Sequence, residues 1–127
     1  MKPIKIKYEL TVKGETESTI ANSYIGKKEE NQIAYKEGNI DVILLFEDRK
    51  IVMKRRTDEY EIELPFEENG VCEGKYYIPN MDLYLHLQVT TEKFVNKENE
   101  IFIIYKLLLN EEDLGEFDFK LEYEVEV

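Results

Sequence analysis

Along most of this chain apolar and polar residues alternate one by one, and almost nothing repeats at helical spacing. Near the N-terminus Ile4, Ile6, Tyr8, Leu10 and Val12 share one face of a strand, while Lys5, Lys7, Glu9 and Lys13 share the other. The C-terminus repeats the pattern, with Phe117, Phe119, Leu121, Tyr123 and Val125 set against Asp118, Lys120, Glu122 and Glu124. A strand buried on one side and wetted on the other gives this signal. Read with its turns, the chain predicts strands at 2–13, 16–25, 32–36, 40–46, 50–57, 59–64, 75–78, 82–91, 100–109 and 114–127. Glycine-bearing turns at Gly14-Glu15 and Glu37-Gly38-Asn39 separate some of them.

Several segments read as interruptions. Residues 26–31 form a charged loop, and Pro65 ends the sixth strand because proline has no N–H for a ladder. Residues 66–74 read as loop, with Gly70 and Gly74 as breaks. Residues 92–99 read as a charged connection with at most one helical turn. Two strands are apolar on both faces, at Val42-Ile43-Leu44-Leu45 and at Ile101-Phe102-Ile103-Ile104. About ten strands joined by short turns indicate an all-β, antiparallel fold with little helix, either a two-sheet sandwich or an up-and-down barrel. The barrel is preferred because closure leaves no open edge.

Composition narrows the class. The chain has 127 residues, the size of one domain with one core, and its 43% hydrophobic content can fill that core. A net charge of −11 excludes a nucleic-acid footprint and disfavours an anionic membrane surface. Cys72 is the sole cysteine, so there is no internal disulfide. The first residues enter a strand at once without an apolar signal core, and the longest apolar run, 101–109, is broken by Lys106. The expectation is a single cytoplasmic barrel domain over residues 1–127.

An ordered series of short motifs adds a resemblance. Ile51-Val52-Met53-Lys54-Arg55 looks like a strand ending in a basic residue, and Phe66-Glu67-Glu68-Asn69-Gly70 like the turn that follows it. Tyr77-Ile78-Pro79-Asn80-Met81-Asp82-Leu83, then Thr90-Thr91, then Ile103-Ile104-Tyr105-Lys106-Leu107 continue the series. Over residues 50–125 the chain resembles the YwiB-like family of uncharacterised bacterial proteins. The first half agrees in strand pattern and in Tyr35. The chain departs at Met81 and at Arg56-Thr57, where the family has glycine. The resemblance implies a barrel like that of the calycins, the superfamily of lipocalins and fatty-acid-binding proteins. It implies no activity.

Candidate chemistry is sparse. Arg55 shares the apolar face of its strand with Ile51 and Met53, so an inward guanidinium needs a partner. Either it grips a bound carboxylate or phosphate bidentately, or it is tied to an acidic side chain such as Glu73 or plugs the barrel's end. His86 is the sole histidine and lies on a polar face with Tyr84 and Gln88, which excludes a histidine-rich metal site. Cys72 has Glu67, Glu68 and Glu73 around it, which oppose a reactive thiolate. The acidic rows Glu59, Glu61, Glu63 and Glu122, Glu124, Glu126 read as solvated strand faces, and no calcium loop, phosphate loop or nucleophile elbow occurs.

Nine tyrosines remain, among them Tyr35, Tyr60, Tyr76, Tyr77, Tyr84 and Tyr105. A phenol can pack its ring in a core and still offer a hydroxyl to a ligand. The sequence therefore leads to a non-enzymatic barrel that takes a small, partly apolar or anionic ligand. Arg55 and one or more of Tyr35, Tyr77 and Tyr105 are its polar contacts. No catalytic residue, metal ligand or cofactor is expected. The alternative is an interaction or structural module with a filled core, whose two-sided apolar strands serve another protein or a homodimer.

Overall fold

The computed structural model describes residues 2–13 and 18–125. Ten antiparallel strands follow one another around a closed barrel: β1 Lys2–Lys13, β2 Ser18–Glu29, β3 Gln32–Glu37, β4 Ile40–Glu47, β5 Lys50–Arg56, β6 Glu61–Glu67, β7 Val71–Ile78, β8 Leu83–Lys97, β9 Glu100–Leu109 and β10 Glu112–Val125. Each strand pairs with its successor, and β10 closes on β1 through a register that sets Ile4 opposite Val125 and Val12 opposite Phe117. One turn of 3-10 helix, Pro79–Met81, joins β7 to β8. No helix among the described residues is long and apolar enough to cross a membrane.

The alternation places the apolar faces inward, as the barrel demands. Ile4 and Ile6 of β1, Ile33 of β3, Leu44 of β4, Ile51 of β5, Phe66 of β6, Val89 of β8, Ile101 and Ile103 of β9, and Leu121 of β10 are almost wholly buried in one cluster. The two-sided strands divide in the same way. Val42 and Leu44 point in and are buried, whereas Ile43 and Leu45 lie half-buried on the outer surface. On β9 the outward Phe102 ring carries the Lys93 ammonium 5.4 Å from its centroid.

Several strands run further than the sequence pattern suggests. β6 continues through Pro65 to Glu67. Its ladder to β5 passes through Val52 opposite Pro65, but its ladder to β7 stops at Glu63 opposite Lys75. Proline is tolerated because it sits on a free edge. β7 starts at Val71, inside the expected loop. Its Gly74 is required by a close approach, since a Cβ there would stand 2.7 Å from the Glu63 carbonyl oxygen. β8 runs on to Lys97 rather than ending at Thr91, because a register shift between Thr91 and Lys93 resets the alternation. β2 likewise continues through Gly26 to Glu29. The expected turn at Gly14-Glu15, the start of the expected second strand at Thr16 and Glu17, and the end of the expected last strand at Glu126 and Val127 lie outside the described residues.

The turns are short and take their left-handed residues where chemistry tolerates them, at Gly38, Asn69, Asn99 and Asn110 among others. In the β7–β8 connection that residue is Asp82, φ 46, rather than Met81, so a methionine in place of the family's glycine carries no backbone strain there.

Strand length shapes the barrel. β8, β9, β10, β1 and β2 are 10 to 15 residues long, and β3 to β7 only 6 to 8. Five long strands form a tall wall that faces a low wall of short ones. At the end carrying the β3–β4, β5–β6, β7–β8 and β9–β10 turns, β2 runs on from residue 25 to residue 18 beyond its ladder with β3, whereas the extra length of β8, residues 92–97, lies at the opposite end. The end where β2 runs on is the mouth.

Candidate functional site

Arg55 stands at the rim of the low wall, at the end of β5. Register places it opposite Val42 of β4, and Val42 in turn opposite Tyr35 of β3. The small valine lets the guanidinium reach diagonally across β4 to Glu37, the last residue of β3. Arg55 Nη2 donates to Glu37 Oε2 at 2.6 Å and Nη1 donates to Oε1 at 3.3 Å. Their side chains are 18% and 12% exposed, so the pair is largely withdrawn from water. Burial alone would lower the arginine's pKa, but the hydrogen bond and charge of Glu37 outweigh it and hold the guanidinium firmly protonated. The acid is therefore Glu37. Glu73, the partner suggested by sequence, lies far out on β7, 84% exposed, with His86 Nε2 3.9 Å from its Oε1.

Above this pair lies a partly enclosed cavity of about 260 Å³. Five rings line it: Tyr8 of β1, Tyr24 of β2, Tyr105 of β9, and Phe117 and Phe119 of β10. Tyr105 and Phe117 stack at 5.2 Å, and Tyr8 tilts against Phe119 at 5.6 Å. Tyr35, only 4% exposed, stacks on Tyr24 at 5.5 Å, and its buried hydroxyl has no hydrogen-bond partner. An orphaned buried hydroxyl is costly enough to be uncommon, which marks this layer as chemically unfinished.

The sequence candidates thus separate. Arg55, Tyr35 and Tyr105 come together at the mouth. Tyr77 lies on the outer surface, where it stacks on Tyr84 at 4.3 Å and donates its hydroxyl to Asp82 Oδ1 at 3.2 Å. It borders an outer depression of about 520 Å³ in which Lys54, Arg56 and Lys75 face Asp41, Glu61 and Glu63. His86 is on the outer wall, and its backbone N–H donates to Asn110 Oδ1 at 3.4 Å. Cys72 sits at the opposite end of the barrel, where burial and a hydrogen bond to Glu67 push its thiol pKa up, away from reactivity. No cluster of three or more histidine, cysteine, aspartate or glutamate residues that could hold a metal occurs among the described residues. Reading the sequence one strand at a time missed Glu37, Tyr8, Tyr24 and Phe117. Glu37 had left a signal, because it shares the parity of Ile33 and Tyr35 and so belongs to an apolar face.

The buried phenols give the mouth a pH signature. Burial first, and the Glu37 carboxylate second, push Tyr8 from 10.0 up to about 12. The same causes raise Tyr35, and burial raises Tyr105. Below pH 10 both folded and unfolded chains keep these protons, and the stabilising contribution is complete. As the pH rises from 10 towards about 12, the unfolded tyrosines ionise while the folded ones cannot, so stability falls. The urea midpoint is expected to drop progressively above pH 10, and less steeply in Tyr8→Phe. A midpoint unchanged at about pH 11 would show that these phenols are not buried as described.

Comparison with known proteins follows the fold. The model of a domain of unknown function, DUF1934, matches residues 4–121. The crystal structure of the ywiB protein from Bacillus subtilis superposes with a TM-score of 0.70 at 12% identity, covering 99% of this chain and 93% of that one. At that identity the likeness speaks for the barrel alone. No curated protein matches the chain in sequence. With the family model spanning nearly all of the ten strands, the chain belongs to the DUF1934, or YwiB-like, family.

Proposed function

We propose that this is a non-catalytic binding barrel whose mouth cavity takes a small, uncharged, ring-bearing molecule. The observation that carries this reading is the cavity of about 260 Å³ walled by five aromatic rings above a closed ion pair. An apolar cavity of about 150 Å³ already suffices for benzene, so this one suits a compound of one or two rings. Glu37 accepts from both terminal nitrogens of Arg55 and neutralises its charge, so an anionic ligand would meet a guanidinium that is already paired. The mouth is electrically closed, and its walls favour stacking. The ten-strand meander agrees with a calycin-like way of holding ligands inside a barrel.

Titration with indole and with benzoate, followed by ring-proton NMR of the tyrosines, tests the reading. Indole is expected to shift the Tyr8, Tyr24 and Tyr105 signals and benzoate to leave them in place. Leu10→Trp, which sets an indole against the same cavity, should weaken indole binding at least tenfold while the barrel stays folded. Indole that shifts no mouth residue, or binds Leu10→Trp equally well, counts against the proposal. The protein-interaction reading draws its support from the solidly packed lower half of the barrel.

A further inference from the structure

The barrel is closed, but its ladder is not complete along every strand. β2 pairs with β1 from Lys28 to Ser18, yet it pairs with β3 only from Gly26 to Glu29. From residue 18 to residue 25 it is hydrogen-bonded to one neighbour alone. Other stretches that leave the ladder are blunted. Residues 64–67 of β6 carry Pro65 and Glu67, and residues 92–97 of β8 carry Glu92, Lys93 and Lys97. Charge and proline are the usual means of keeping a free edge from adding a strand.

The β2 edge has neither. It reads Ser-Thr-Ile-Ala-Asn-Ser-Tyr-Ile, eight residues without a charge in a chain that is 35% charged. Thr19 to Ser23 are exposed, with Ile20 at 51% and Ile25 at 72%. We infer that this edge is a docking strand, and that its partner is the same strand of a second copy.

Charge and register choose the occupant. Two chains of net charge −11 repel wherever their acidic faces meet, and this edge is a place where backbone can meet backbone without like charges opposed. The outer neighbours on β1 are of opposite sign, with Glu9 beside Ala21 and Lys7 beside Ser23. A two-fold axis through Asn22 keeps each side chain on the same face as the one it meets. Ile20 then faces the partner's Tyr24, Ala21 faces the partner's Ser23, and Thr19 faces the partner's Ile25. These are β-branched, aromatic and small pairs of the kind that stabilise antiparallel ladders. β3 joins β2 at Gly26, so the seam is confined to residues 19–25 of each copy. Ile20, Asn22 and Tyr24 also line the mouth cavity, so pairing sets two mouths side by side and covers the half-exposed Ile20.

Sedimentation velocity of the full chain over a concentration series up to roughly 0.5 mM suits a seam this short. The wild type is expected to shift from monomer to dimer across the series. Ala21→Glu/Ser23→Glu sets four carboxylates across the seam and should stay monomeric, as should Ala21→Lys/Ser23→Lys. Mixing the two variants should restore a dimer, because the register opposes residue 21 to residue 23. Amide exchange on the wild type gives a readout without substitution: protection of residues 19–25 should rise with concentration. A wild type monomeric throughout overturns the inference. So does a dimer that the glutamate pair leaves intact, or a mixture that fails to re-form one.

Discussion

Glu37→Ala is expected to destabilise the barrel by about 3–5 kcal/mol, because it strands a guanidinium that the fold has largely withdrawn from water. The loss would come less from the attraction removed than from the charge left behind. Arg55 is fixed on the inward face of β5 with Tyr8, Tyr24 and Tyr35 around it, and no other carboxylate is within its hydrogen-bonding reach among the described residues. Removing both partners should be far milder. Glu37→Leu/Arg55→Met replaces a buried ion pair with apolar volume, and such exchanges are often neutral or stabilising. Urea unfolding checks both variants. A single substitution as mild as the double one would show that water reaches the pair freely. By contrast, Glu92→Ala, which breaks the exposed contact of Glu92 with Lys106, should change stability by too little to detect.

Phe66→Ala carries the other large effect, a loss of about 3–5 kcal/mol. Phe66 is fully buried with its ring 4.6 Å from that of Tyr105, so truncation removes transfer energy and leaves a void between β6 and β9. The site matters for a second reason. Beyond Glu63 the strand is laddered to β5 alone, and side-chain packing takes over where hydrogen bonds to β7 end. Phe66 is the main apolar anchor of that stretch. Local opening should therefore accompany the global loss, with faster amide exchange at 64–67 and 71–74 than elsewhere in the variant. Uniform acceleration across the barrel would mean that the short ladder, rather than the ring, sets the stability of this seam.

The fold was legible in the sequence wherever a strand is covered on one face only. The period-two pattern of β1 and β10 is that of a wall between core and water, and ten such walls with short turns leave few architectures. Legibility failed where something other than burial interrupts the period. Pro65 reads as a stop because a central strand cannot hold proline, but the wall has a gap there and the proline occupies its edge. The bulge at Thr91/Lys93 shifts the parity, so Phe94 points inward where alternation expects an outward residue. In the upper half of β2 the alternation is weak, since only one side of that strand has a neighbour.

The site was half legible for a related reason. Arg55 stood out because a charge on an apolar face is a local contradiction, visible within one strand. Its partner was not, because pairing Arg55 with Glu37 requires that β3 and β5 both flank β4. Tyr35, Tyr105 and Tyr77 looked equivalent in sequence. Only strand parity combined with closure sends the first two inward and leaves Tyr77 on the outer surface beside Tyr84. The cavity itself opens where β2, with β1 beside it, runs on past its ladder with β3.

The most direct measurement is native mass spectrometry of protein purified gently from its expression host, wild type beside Leu10→Trp. The account predicts a reproducible extra mass of a small neutral compound on the wild type, lost on denaturation and missing from the filled-mouth variant. A wild type that flies bare, or an adduct held equally by both proteins, would contradict a ligand site at the barrel's mouth.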